Sequence, residues 1–362
     1  MELFCGQKGY EMSMKIIRVA GEQDYETLKP AAELIRSGGL VAFPTETVYG
    51  LGASAFREDS VERIYQAKGR PSDNPLIVHI SHRDQLDQIV SQVPEAAKIL
   101  MDHFWPGPLT LVMPKQNTIP DTVTAGLPTV AVRFPQHPVA QALISMAGVP
   151  IAAPSANTSG RPSPTTAGHV IDDLFGKIDA VVDGGSASFG LESTVVDVSE
   201  EVPVLLRPGS VTYEQLCDVL GKVALGEGVA QKPGEHVKAK APGMKYTHYS
   251  PNAKVIVVKG ESEAVTRYIN EKIEELHRSG KRAGAMVYQQ ALGHIMHADV
   301  LLSLGDLCHR SAAAARLFAY LRTFEQQGVD VVYAQDCGES GIGLAISNRL
   351  NKAAGYEIVT AE

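Results

Sequence analysis

The chain has only four cysteines in 362 residues, and no two of them (Cys5, Cys217, Cys308, Cys337) stand at CxxC spacing. That excludes a ribbon-type zinc site and a dense disulfide framework, so no structural metal is expected; it also suits a reducing, cytoplasmic compartment. Long apolar runs are missing too. None approaches the ~18 residues of a membrane span, so no membrane partner is expected. Met1–Ser13 is polar, without the apolar stretch of a secretion signal, and reads as a frayed extension ahead of Met14. There is no basic excess: 33 Lys and Arg against 41 Asp and Glu leave a formal charge of −8. A uniformly basic nucleic-acid-binding surface is thereby excluded, and any bound polyanion must meet a local cluster of cations. Proline is absent from the whole C-terminal stretch, since all 21 prolines lie at or before Pro251.

The loss of proline marks a change of construction. At about 100–200 residues per domain, this length predicts two domains. In the first, short apolar runs stop repeatedly at proline (VAFP, LVMP, VRFP, IAAP), as strands do where loops begin. Leu40–Phe43, Leu76–Ile80, Leu109–Met113, Thr129–Phe134, Val149–Ala153, Ala180–Asp183, Thr194–Val198 and Val202–Leu206 read as strands. Asp24–Ser37, Ser60–Ala67, His137–Met146 and Thr165–Phe175 read as helices. So many strands for so few helices predict a mixed sheet. After Asn252, strand-like Lys254–Val258, Arg282–Tyr288 and Val329–Ala334 alternate with helical Glu261–Arg278 and Leu307–Gln327, the pattern of a small parallel α/β domain. The boundaries predicted are a first domain over 14–225, a linker over 226–252 and a second domain over 253–362.

Standard site templates fail in turn. There is no GxxxxGK[ST], no GxGxxG after the first strand, no HExxH and no GxSxG. Gly338–Gly343 (GESGIG) follows a strand and opens a helix, a placement able to meet phosphate, but without a partner lysine it reads as a packing turn. What remains is a set of polar strand-end segments in the first domain. Lys68, Arg70, Arg133, Arg161 and Arg207 each stand where an apolar element stops, in an acidic chain. Guanidinium forks suit carboxylate and phosphate, and lysine supplies a compact charge for a transferring phosphoryl group. Thr45, Thr47, Asn74, Ser155, Asn157, Ser193 and Thr194 add neutral donors. Together they describe a polyanion pocket with no covalent nucleophile, acting by positioning and electrostatic stabilisation.

Those segments, in that order, resemble the YrdC-type threonylcarbamoyl-AMP synthase family. The resemblance rests on TET-x-YG at Thr45–Gly50, K-x-R at Lys68 and Arg70, S-x-N at Ser155 and Asn157, Glu192-Ser193-Thr194, and LRPG at Leu206–Gly209. The linker PGM-x-Y-x-HY-x-P at Pro242–Pro251 and the GLA-x-x-NRL ending at Gly343–Leu350 are similar to the two-domain, Sua-type branch. The resemblance implies an N-terminal YrdC-like twisted mixed α/β sheet with a concave positive face, and a smaller Rossmann-like parallel α/β domain. It implies an enzyme: L-threonine, bicarbonate and ATP, with Mg2+ accompanying the ATP, give L-threonylcarbamoyl-adenylate and pyrophosphate. Other proteins then complete threonylcarbamoyladenosine on tRNA. By the same resemblance Lys68 and Arg70 are the catalytic cations. Thr47, His79, Arg133, Ala153 and Ser193 surround threonine. Asn74, Thr129, Ser155, Asn157, Ser163 and Arg207 join Lys68 and Arg70 around ATP. Tyr246, Tyr249 and Asn252 are expected in a lid formed by the linker. Two other classes stay open. One is an RNA-binding module, of which a weak RNA contact is the remnant in this reading. The other is a carbamoyl transferase of the hydrogenase-maturation type, against which the lack of CxxC counts.

Overall fold

The computed structural model of the protein describes residues 2–5, 12–229, 240–242 and 249–362, with side chains from Met14 onward. It divides into two compact units, Met1–Ser159 with Ser163–Lys245, and Gly160–Pro162 with Tyr246–Glu362. The division between the large segments falls inside the linker predicted at 226–252.

Unit 1 carries twelve strands among the described residues: β1 (Glu2–Cys5), β2 (Met12–Arg18), β3 (Val41–Phe43), β4 (Gly50–Ser54), β5 (Ile77–His79), β6 (Leu109–Pro114), β7 (Thr129–Arg133), β8 (Ile151–Ala153), β9 (Ala180–Asp183), β10 (Thr194–Asp197), β11 (Val204–Arg207) and β12 (Ala224–Leu225). Their order is β1-β2-β9-β3-β4-β8-β5-β7-β6-β10-β11-β12. Parallel pairs such as β5–β7 and antiparallel pairs such as β6–β7 both occur, so the sheet is mixed as the strand surplus predicts. One expectation fails at its edge. Instead of fraying, Glu2–Cys5 pairs antiparallel with Met12–Arg18. Edge pairing uses backbone donors and acceptors and needs no apolar pattern, so composition gave no warning.

The helices of unit 1 are α1 (Lys29–Ser37), α2 (Glu58–Lys68), α3 (Glu95–Phe104), α4 (Asp121–Thr124), α5 (Pro138–Ala147), α6 (Ala167–Leu174) and α7 (Tyr213–Leu220). The helix read over Asp24–Ser37 is in fact a 3-10 turn, Glu22–Leu28, followed by α1. Pro30 explains the break, because it has no N–H for the preceding turn and is at home in the first turn of a new helix. α1 and α5 press Ala31, Ile35, Leu143 and Ile144 onto Val41, Phe43 and Val182 of the sheet, which makes one hydrophobic core cluster of this unit.

Unit 2 is a five-stranded, all-parallel sheet of β13 (Lys254–Lys259), β14 (Ala283–Val287), β15 (Val300–Ser303), β16 (Val331–Gln335) and β17 (Ile358–Thr360), in the order β15-β14-β16-β13-β17. Its helices are α8 (Ser262–Arg278), α9 (Gln289–Leu292), α10 (Ser311–Gln326) and α11 (Ile342–Ala353). Ile269 and Ile273 of α8 pack on Ile256, Ala285 and Tyr333. The short tripeptide Gly160–Pro162 is held within this unit. Buried Arg322 donates to the Pro162 carbonyl at 2.6 Å, Arg161 pairs with Glu325 at 2.8 Å, and Ser250 N–H donates to Gly160 O at 2.9 Å. Arg161 was grouped with the pocket cations on sequence grounds, and here it serves unit 2 instead.

Candidate active site

Lys68 is placed by helix periodicity. α2 begins with Glu58 and Asp59 in its first turn and ends on Gly69 at φ +61°. Acid at the N-terminus and a left-handed glycine at the C-terminus are the expected boundary chemistry. The stripe that faces inward is Val61, Ile64, Tyr65 and Lys68. The last of these is therefore carried into the protein by the same 3.6-residue repeat that buries the apolar three. Lys68 is only 2% exposed. Its Nζ donates to the carbonyls of Ser155 and Asn157, each at 2.5 Å, and reaches Asn157 Oδ1 at 3.4 Å. Every one of these partners is formally neutral. Burial first, and then repulsion from Arg70, holds the Lys68 ammonium well below the usual lysine range, with Asp173 opposing both.

Ser155 and Asn157 follow β8, and Ser155 Oγ donates to Asn157 Oδ1 at 2.6 Å. The segment is docked on the hairpin of β3 and β4, because Gly50 bridges Ser155 and Ala156 N–H donates to Tyr49 O at 2.8 Å. Asp173 fixes the far side by accepting from Thr158 N–H at 3.1 Å. Arg70 lies just past the helix and reaches the carbonyls of Asn74 and Pro75, each at 3.2 Å. Asn74 is 1% exposed, yet among the described residues neither end of its amide has a hydrogen-bond partner. The hydroxyls of Thr122 and Thr124 are likewise buried and unpaired, and Tyr65 Oη links this corner by bonding to both Asn74 O and Thr122 O. Unpaired buried amides cost free energy, typically about 1–3 kcal/mol, so a ligand edge that completes them recovers it. Asn74→Leu should therefore leave the melting temperature unchanged or raise it while the KM for ATP rises about fivefold or more. A thermal melt and a substrate titration check both halves.

A second row crosses four adjacent strands. The register sets Arg133 of β7 opposite Thr110 of β6, Thr110 opposite Val195 of β10, and Val195 opposite Arg207 of β11. Thr110 Oγ1 and Ser193 Oγ share a hydrogen bond at 2.8 Å. Arg207 donates to Ser193 O at 3.0 Å, to Ser193 Oγ at 3.1 Å and to the Pro242 carbonyl at 2.9 Å. Gly209 permits this closeness, since a Cβ there would lie 2.4 Å from the Thr194 nitrogen. The glycine of LRPG is thus a packing requirement. At the other end of the row, Arg133 Nη1 donates to Thr47 Oγ1 at 2.8 Å and Nη2 pairs with Glu46 at 2.7 Å. Glu46 is buried and also accepts from Gln136 and His137 N–H. Burial alone would raise its pKa, but the Arg133 charge, its hydrogen bond and the Gln136 bond hold the carboxyl below the usual range.

The structure thus brings together Lys68, Ser155 and Asn157, then Arg70 and Asn74, then Thr47 and Arg133, then Ser193 and Arg207. Ser163 is buried and donates to Glu192 Oε1 at 2.5 Å, next to Ser193 in the chain. Ala153 ends β8, where its backbone pairs with Ile77. His79 sits beside Arg133 in register, but its ring packs edge-on against Phe43 and Nδ1 faces Ile77 O. Burial, then Arg133, drives its pKa to about 3, so it is a neutral, packed ring. Thr129 opens β7 half-buried; among the described residues no hydrogen bond joins its side chain to Lys68, Ser155 or Asn157. Of the three lid residues, Tyr246 lies outside the described residues. Tyr249 is packed in unit 2, its ring 5.0 Å from that of Phe318, and Asn252 is exposed. Glu46, Thr110, Thr122, Thr124 and Asp173 were not singled out from the sequence. Glu46 stood inside the TET segment, but its partner Arg133 is far along the chain, and only the fold joins them.

Comparison with known proteins places this geometry. The Sua5/YciO/YrdC family model, described as "Telomere recombination", matches residues 33–209. The model described as "Threonylcarbamoyl-AMP synthase, C-terminal domain" matches residues 211–355. Threonylcarbamoyl-AMP synthase of Pyrococcus abyssi is 48% identical over 95% of this chain and 98% of its own. That of Bacillus subtilis is 48% identical over 91% and 93%. The crystal structure of P. abyssi Sua5 complexed with L-threonine aligns at a TM-score of 0.91 and 48% identity, covering 96% of this chain and 99% of that one. Fold, buried cations and these relatives define an ATP-using enzyme of the nucleotidyl-transfer type. The chain belongs to the threonylcarbamoyl-AMP synthase family, in its two-domain Sua5 form.

Proposed function

We propose that this chain joins L-threonine, bicarbonate and ATP into L-threonylcarbamoyl-adenylate in the cytoplasm, releasing pyrophosphate, and that other proteins carry the product onto tRNA. The observation that carries the reading is Lys68, a buried ammonium bonded, among the described residues, only to neutral oxygens. Its charge is left for a ligand to balance, and the phosphates of ATP are such a ligand. The threonine amine attacks the carbon of bicarbonate and water leaves, giving a carbamate. A carbamate oxygen then attacks the α-phosphorus, and the bond to the pyrophosphate bridging oxygen breaks. No covalent enzyme intermediate is required, so positioning and charge stabilisation do the catalysis.

In this reading Lys68 and Arg70 balance the phosphates, while Asn74, Ser155, Asn157 and Ser163 contact the nucleotide. Arg207 holds its Ser193 partner at the junction with threonine. A guanidinium has five N–H donors; Glu46, Thr47 and Gly107 O take three of those of Arg133, which leaves two for the threonine carboxylate. Magnesium enters with the triphosphate. Glu46, Glu192 and Asp173, buried acids of the site, are engaged with Arg133, Ser163 and Thr158, which suits a metal carried in by ATP. With wild-type protein, pyrophosphate release should require threonine and bicarbonate together. Serine should turn over less well, since one lost methyl contact is worth about 1–3 kcal/mol. Release that persists with either co-substrate omitted would overturn the reading.

The linker has a part in it. Lys240 pairs with Asp197 at 2.6 Å, Ala241 is buried among Val112, Ala131 and Val195, and the Pro242 carbonyl rests on Arg207. A segment anchored on an ATP-site arginine is well placed to shield an adenylate from hydrolysis. Trypsin cleavage across Lys238–Lys245 should slow when ATP and threonine are both present. Equal rates with and without ligands, together with full activity after removal of 234–362, would eliminate the lid.

A further inference from the structure

The carboxyl half of α10 carries a stripe that no step of the reaction uses. Phe318, Arg322 and Glu325 stand at i, i+4 and i+7, so one side of the helix presents all three. Two separate pieces of chain lie against it within unit 2. Tyr249, buried, sets its ring 5.0 Å from that of Phe318. Its backbone is held at φ +70°, a conformation that a tyrosine keeps only where its surroundings fix it. The Pro162 carbonyl accepts from Arg322 Nη2 at 2.6 Å, and Arg161 Nη2 reaches Glu325 Oε2 at 2.8 Å. The two pieces are also joined to each other, because Ser250 N–H donates to Gly160 O at 2.9 Å. Ser250 Oγ in turn donates to Ala353 O of α11 at 3.1 Å. The end of the linker and the tripeptide Gly160–Pro162 are thus held together on one helix face.

The tripeptide matters because of what flanks it in the chain. Ser159 N–H donates to the Lys68 carbonyl at 2.8 Å, two residues after Asn157, whose own carbonyl receives Lys68 Nζ. Between them Thr158 is held twice by Asp173, through its N–H and its Oγ1, each at 3.1 Å. On the other flank Ser163 Oγ donates to Glu192, and Tyr49 N–H donates to Pro164 O at 2.9 Å. Only the tripeptide separates these two sets of anchors, and extended chain spans at most ~3.6 Å per residue. A displacement of Arg161 or Pro162 therefore finds little slack before it reaches Asn157 and Ser163. Holding the run in place beforehand also spares ATP binding the entropy of ordering it.

We propose that Arg322 and Glu325 are positioning residues for the reaction: from α10 they hold Gly160–Pro162 and so fix Asn157 and Ser163 for the nucleotide. They act through the chain. The proposal rests on the assignment of ATP to Lys68, Asn157 and Ser163. Hydrogen–deuterium exchange of the full chain without substrates is the first test, and exchange across 157–165 should quicken in Glu325→Lys, which sets two cations side by side. In the pyrophosphate assay that variant should raise the KM for ATP about fivefold or more and leave the KM for threonine within about twofold. The split is expected because Thr47, Arg133 and Ser193 lie outside the run. Arg161→Glu should behave alike. The two substitutions together rebuild the pair with its signs exchanged, and should return the KM for ATP to within about twofold of wild type. A role in the stability of unit 2 alone would move the melting temperature without this split. Faster exchange with an unchanged KM for ATP, or equal rises in both KM values, would overturn the proposal, as would a double variant no better than either single one. Should Glu325→Lys fail to fold, Glu325→Gln keeps the shape and decides, with a rise of about threefold in the KM for ATP alone expected and no rise counting against. Pyrophosphate release by wild type without threonine or bicarbonate would fault the assigned reaction instead, whereas unchanged exchange at 157–165 in Glu325→Lys faults this proposal by itself.

Discussion

Replacing Lys68 by methionine should leave a folded protein whose turnover is lower by about 10²–10³-fold, the usual cost of removing one preorganised group that meets developing charge. Two opposing terms keep the fold. Methionine fills a similar volume and removes a desolvated ammonium, while the carbonyls of Ser155 and Asn157 lose their donor, so the net change in stability should stay within about 2 kcal/mol. The pH behaviour supplies a second readout. In the free protein, burial and Arg70 hold the Lys68 pKa well below the lysine value; a triphosphate beside it favours the charged form and raises that pKa again. ATP binding should therefore take up a proton at any pH between the two pKa values, and affinity should fall as pH rises through that window. Calorimetry in buffers of different ionisation enthalpy measures the uptake, and Lys68→Met should abolish it. Wild-type turnover in a folded variant would remove Lys68 from the phosphates.

Prolines after apolar runs were readable as the strand ends that carry Arg133, Ser155 and Arg207. Lys68, read as lying past a helix that ends at Ala67, is instead the last residue of α2, where the 61, 64, 65, 68 stripe turns it inward. Signals present but not used account for α7, whose Thr212 and Gln215 form a capping box. Long-range pairing accounts for the remainder. That Glu46 would neutralise Arg133, or that Thr110 would bridge to Ser193, depends on β7, β6 and β10 lying side by side, and no spacing in the chain encodes strand order. The anchoring of Gly160–Pro162 in unit 2 was hidden for the same reason. Arg161 looked like its neighbours in composition, and only its partner Glu325 distinguishes it.

The largest stability effect is expected at the Glu46–Arg133 pair. Both side chains are nearly inaccessible, at 6% and 4% exposure, and 2.7 Å apart. Arg133→Met should cost about 3–5 kcal/mol, because it strands a buried carboxylate. The linkage has a definite sign. The folded-state pKa of Glu46 is depressed, so its stabilising contribution is present above the unfolded carboxyl value and is lost as pH falls through the folded one. In Arg133→Met the depression disappears and burial dominates, so that variant should recover stability on acidification where wild type loses it. Glu46→Gln combined with Arg133→Met should restore most of the melting temperature at neutral pH, since removing both charges leaves nothing uncompensated. Activity should not return with it. Threonine would still lack the guanidinium for its carboxylate, and its KM should stay raised about tenfold or more while that of ATP moves little. Chemical denaturation of the single and double variants across pH, with the two KM values measured in parallel, separates the structural role of the pair from its part in holding threonine. A double variant that regained threonine affinity along with stability would show that Arg133 serves the fold alone.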